Sequence, residues 1–99
     1  MQDIKEELAK SLDEAAWSWL IPHAKSDALI VVDEALDLLE VGVAIAKDDV
    51  LSVQHWISEQ LVHKPSPNQL AEWNIDQNKR FKALIVQPYV LVKEQSLGT

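Results

Sequence analysis

Ile4, Leu8, Leu12, Ala15 and Trp19 recur at steps of three or four, a spacing that lays one apolar stripe along a helix. Asp3 with Glu6 three residues on is a capping-box pattern, in which each side chain serves a free backbone N–H at the helix start. These positions predict a helix over 4–20. Pro22 marks its end, because the residue before a proline is driven out of helical geometry. At about 100° per residue Trp17 falls almost opposite the stripe, so it is either covered by another element or waiting for a partner.

The pattern then changes. Ala28 to Val32 is a short apolar run rich in β-branched residues and predicts a strand. In the next segment Leu39, Val41, Val43 and Ile45 alternate with Glu40, Gly42, Ala44 and Ala46, a period of two that predicts a second strand over 38–46. A helical alternative competes there: Asp37 and Glu40 fit a capping box, and Leu36, Leu39, Val43 and Ala46 fit a helical stripe. Alternation explains more positions, so the strand is the expectation.

Asp48 or Asp49 can cap a helix over 50–62, with Val50, Val53, Ile57 and Leu61 as its buried stripe and Trp56 at the edge. Ser66 as N-cap, Pro67 as first helical residue and Gln69 at the third position predict a short helix over 67–74, anchored by Leu70 and Trp73. The last run, 81–92, is apolar and interrupted by Pro88. Proline cannot donate a ladder hydrogen bond, so this strand is expected to be an edge or bulged. The sum is one α+β domain over 1–99: an antiparallel sheet of about three strands with helices packed on it.

Composition narrows the function classes. The chain has 99 residues, no cysteine and two glycines, with sixteen acids against nine bases for a net charge of −7. Without cysteine there is no disulfide, thiolate zinc site or cysteine nucleophile. The longest stretches free of charge are ten residues, Ala15–Ala24 and Ala83–Val92, whereas a membrane-spanning helix needs about 20 apolar residues. The acidic start carries no signal-peptide pattern, and a cytoplasmic, soluble protein is expected. Twelve of the acids lie in residues 1–50 with four lysines. The one basic cluster, Lys79, Arg80 and Lys82, has no aromatic platform, so neither nucleic acid nor membrane is an expected partner.

Chemical motifs are sparse. His55 and His63 lie about 80° apart around a helix and roughly 12 Å along it, too far for one metal, and no His-Glu-x-x-His pattern exists. His23 stands in a predicted loop with Asp27 four residues on. Two glycines cannot build a phosphate-cradling loop, and no serine occupies a nucleophile-elbow context. Asp33, Glu34 and Asp37 crowd a predicted turn, where Asp favours local hydrogen bonding over metal binding. No cofactor is expected. The four tryptophans carry more information, since Trp and Tyr are enriched where proteins bind one another.

The run Leu36-Asp37-Leu38-Leu39-Glu40-Val41, then Ala44-Ile45-Ala46 and Asp48-Asp49, with Trp56 and Trp73 in the following helices, resembles a small bacterial family known only as a domain of unknown function. The ending Pro88-Tyr89-Val90-Leu91-Val92 is similar to that family's Pro-Trp-Val-Leu-Val-Gln, from which Tyr89 and Lys93 depart. The resemblance covers most of the chain and implies a stand-alone bacterial protein. It implies no activity, substrate, cofactor or site residue.

The leading expectation is a non-enzymatic interaction or regulatory domain that forms a homodimer, with Trp17, Pro88 and Tyr89 as candidate interface residues. The alternative is a small-ligand- or metal-binding domain, or a minor enzyme, that gathers Asp37, Asp48 and Asp49 near Trp56.

Overall fold

A computed structural model describes residues 4–94. In chain order the elements are α1 (Ile4–Ala9), β1 (Asp13–Ala16), α2 (Trp17–Lys25), β2 (Leu29–Val32), α3 (Leu38–Ala46), α4 (Val50–Ser58), β3 (Val62–His63), α5 (Pro67–Ile75), β4 (Arg80–Val86) and β5 (Tyr89–Glu94). The α+β class is as expected, but the sheet has five strands rather than three, in the order β1-β4-β5-β2-β3. It is mixed: β5 runs parallel to β2, and the other three pairings are antiparallel. Asp3 of the first capping box lies outside the described residues.

The helix expected over 50–62 stops at Ser58, because Gln60 turns into the left-handed region and Val62 in β3 pairs with Val32. Three further elements depart from the pattern reading. The helix expected over 4–20 is α1, β1 and part of α2. Asp13–Ala16 pair with Arg80–Ala83, and this sheet contact outweighs the local helical spacing. The chain re-enters a helix at Trp17 without a side-chain cap. The Trp17 and Ser18 N–H groups instead donate to the carbonyls of Lys79 (2.8 Å) and Gln77 (3.0 Å). Pro22 sits inside α2 and forgoes one internal hydrogen bond without ending the helix.

Residues 38–46, expected as a strand, are the helix α3. The Asp37 carboxylate accepts from the Leu39 N–H at 3.1 Å and sets the start. Leu38, Val41, Gly42 and Ala44 are buried, a mixture of odd and even positions that one face of a strand cannot supply. Gly42 is packed so closely on the sheet that a Cβ there would overlap the Leu84 side chain and crowd Val86.

The run 81–92 is a hairpin. Pro88, which has no N–H to give a ladder, stands in the Gln87–Pro88 turn, and β4 and β5 register from Val86↔Tyr89 to Phe81↔Glu94. Neither strand is an edge. Val90, Leu91 and Val92 are all buried because β5 is the central strand and is covered on both faces.

Helices cover both faces of the sheet. On one face α2 and α5 place Trp17, Leu20 and Trp73 over Leu29, Val31, Phe81, Val90 and Val92. On the other, α3 with Leu8 of α1 and Trp56 of α4 packs over Val32, Val62, Leu84, Val86 and Leu91.

Candidate functional site

Helix α4 starts where expected, with Asp49 as N-cap: its carboxylate accepts from the Ser52 N–H at 3.3 Å and the Ser52 hydroxyl at 2.8 Å. Its expected buried stripe is not buried. α4 holds no buried residue. Val50 is 53% exposed, Leu51 82% and Ile57 54%, while Val53 and Trp56 are half-buried. The spacing i, i+3, i+7 is the same whether a stripe faces the core or solvent, so the sequence pattern could not separate the two.

Between α4 and the sheet lies an open groove of about 570 Å³. Its apolar lining comes from Val50, Val53 and Ile57 of α4, Ile45 of α3, Ile30 of β2 and Tyr89 of β5. Ile30 and Tyr89 alternate with core residues along their strands, so both project onto the α4 side of the sheet. Ser26, Asp27, Asp48, Asp49, Gln54 and Lys64 supply the polar rim. Asp27 and Lys64 form an ion pair across it.

Asp27 and Asp48 share one backbone feature. Each follows a helix C-cap in the left-handed region, at φ 65° and 62°, and Gln60 at 61° does the same after α4. The next N–H reaches back to close each helix: Ala28 to the His23 carbonyl, Asp49 to Ala44 and Leu61 to Trp56. One tight turn thus ends α3 at Asp48 and begins α4 at Asp49.

The residues singled out in the sequence divide between places. Trp17 is 1% exposed, so it belongs to the core rather than to an interface. Its ring lies 5.1 Å from Trp73 and 6.0 Å from Phe81, and its indole N–H donates to the Asn74 side-chain carbonyl at 2.8 Å. Trp19, expected in the core, is half exposed, with its ring tilted against His23 at 4.9 Å. The two tryptophans exchange roles because the helix phase is set at Trp17 and not at Ile4. Pro88 and Tyr89 are both exposed, and Tyr89 lines the groove.

Of the four residues in the ligand alternative, Asp48 and Asp49 line the groove and the other two do not. Asp37 caps the opposite end of α3, a helix of nine residues and so about 13 Å long, and faces a different cavity with Glu34, Lys82 and Lys93. Trp56 packs into the core below α3. Asp37 and Trp56 therefore do not join Asp48 and Asp49 at one site. Among the described residues no group of three or more His, Asp or Glu side chains could hold a metal ion, and no helix is long and apolar enough to cross a membrane. The groove residues that sequence reading missed are Ser26, Asp27, Ile30, Ile45 and Lys64; only the three-dimensional fold brings them together.

The chain belongs to the family described as "Protein of unknown function (DUF2288)", which it matches over residues 3–94. The fold is similar to that of a solved structure, the NMR solution structure of PA1075 from Pseudomonas aeruginosa. The TM-score is 0.80 at 28% sequence identity, covering 97% of this chain and 89% of that one. No curated protein matches the chain.

Proposed function

With membership of a family that carries no assigned activity as the premise, we propose that this chain is a non-enzymatic interaction domain. It docks an apolar helical segment in the groove between α4 and the sheet. The observation that carries this reading is the exposure of Val50 and Ile57 along α4, where both line the groove with Tyr89. Scattered exposed apolar residues are ordinary, but a contiguous apolar patch with a polar rim marks contact surfaces. Helix-in-groove recognition uses anchors at i, i+3 or i+4, and i+7, which is the spacing that Val50, Val53 and Ile57 present from their side.

A second copy of the chain, the occupant expected from sequence, is one way to cover this face. The Trp17 contact and the exposed C-terminal strand edge that motivated it are both absent, because Trp17 is buried and β5 is central.

The test is a titration of the ¹⁵N-labelled protein with a neutral amphipathic helix of leucine and glutamine, followed by backbone amide shifts. Docking predicts saturable shifts confined to α4, Ile30, Ile45 and Tyr89. No shift there at millimolar peptide overturns the reading.

A further inference from the structure

The groove's charge identifies the occupant more closely. Three carboxylates, Asp27, Asp48 and Asp49, line it against one ammonium, Lys64. Lys64 is already paired with Asp27. That leaves Asp48 and Asp49 side by side at the α4 N-terminus, with no ion pair to either among the described residues. Asp49 bonds Ser52, which is neutral and leaves its charge in place. Neither α3 nor α4 contains a lysine or arginine. Lys47 precedes the two acids in sequence but does not line the groove.

We propose that the occupant is a cationic amphipathic helix from a different protein, seated with its apolar face on Val50, Val53, Ile57 and Tyr89 and a lysine or arginine against Asp48 and Asp49. This rests on the docking reading above and adds the partner's charge to it. Val50 to Ile57 is seven residue steps, about 10 Å, so the partner contributes about two helical turns of apolar contact. Its basic residue stands just beyond them. A second copy is the poorer occupant: it brings the same acidic lining and another net charge of −7, and like charges juxtaposed at an interface oppose docking.

Three synthetic amphipathic helices of equal length test the proposal, with leucine on one face and lysine, glutamine or glutamate on the other. Each is titrated by NMR into the full chain at low and at physiological salt. The expected order of affinity is lysine, glutamine, glutamate, with the lysine peptide about tenfold tighter than the glutamine peptide at low salt and losing most of that lead as salt rises. The double variant Asp48→Asn, Asp49→Asn is expected to cut the lead of the lysine peptide over the glutamine peptide to about threefold or less. Asparagine caps helices as well as aspartate does and tolerates the left-handed region, so the variant keeps its fold.

Equal binding of lysine and glutamine peptides at the groove overturns the charge assignment and leaves docking intact. Shifts spread over acids remote from the groove, such as Asp13 and Glu34, reduce it to non-specific attraction and overturn it. A solution mass that doubles with concentration, with the same α4 amides shifting, assigns the groove to a second copy instead. Failure of all three peptides overturns both readings.

Discussion

Trp17, Trp73 and Phe81 close one face of the sheet with ring centroids 5.0 to 6.0 Å apart, while α4 on the other face leaves Val50, Leu51 and Ile57 in contact with solvent. Both regions are apolar in sequence. They differ in what lies opposite. The aromatic side has β4 and β5 directly beneath it, and its two indole N–H groups find Asn74 at 2.8 Å and Glu94 at 3.4 Å, so the polar tips of the rings cost little to bury. α4 lies chiefly against α3 and the two-residue β3 and sends Trp56 to the core, which leaves Val50, Leu51 and Ile57 uncovered. The first region holds the fold, and the exposed side chains of the second are surplus to it.

That contrast is sharpened first in the aromatic cluster. Trp73→Ala is expected to lose about 3–5 kcal/mol of stability by chemical denaturation, the range for emptying a large aromatic site in a packed core. For a small domain such a loss takes most of the total stability. A loss under about 1 kcal/mol would show that the rings do not act as a core.

A smaller effect belongs to the polar tip of Trp17. Asn74→Ala is expected to lose about 1–2 kcal/mol, because the indole N–H keeps its burial and loses its acceptor. Asn74→Asp keeps an acceptor oxygen at that place and is expected to lose less. Equal losses for the two substitutions would show that the hydrogen bond is not the cause.

The same contrast explains which elements could be read from residues alone. Capping chemistry is local, so Ser66-Pro67-Gln69 and Asp49 mark the starts of α5 and α4 correctly, with the full reciprocal capping box at Ser66 and Gln69. The start of α2 has no such mark, since its N–H groups are satisfied by carbonyls of Lys79 and Gln77 from the loop before β4. Helix ends were hidden for a related reason: the left-handed residues that close α2, α3 and α4 are Asp27, Asp48 and Gln60, none of them the glycine that usually signals such a turn. Alternation over 38–46 pointed to a strand because Gly42 and Ala44 look like one small face. In the helix those small residues serve the close approach to Leu84 and Val86.

At the groove, Tyr89, Asp48 and Asp49 are legible in the sequence as candidates, Tyr89 for an interface and the two acids for a ligand site. Their union depends on Ile30 and the α3–α4 turn meeting at one end of the sheet, a consequence of strand order that no local spacing encodes.

The central claim is that the exposed apolar side chains of α4 are not needed by the fold. Thermal unfolding of the double variant Leu51→Ser, Ile57→Ser tests it most directly. In a domain of this size about 1 kcal/mol corresponds to roughly 4–8 °C in Tm, and both side chains are more than half exposed. The account predicts a change of less than about 4 °C. A fall of about 10 °C or more would contradict it, by showing that α4 holds the core together rather than waiting for another chain.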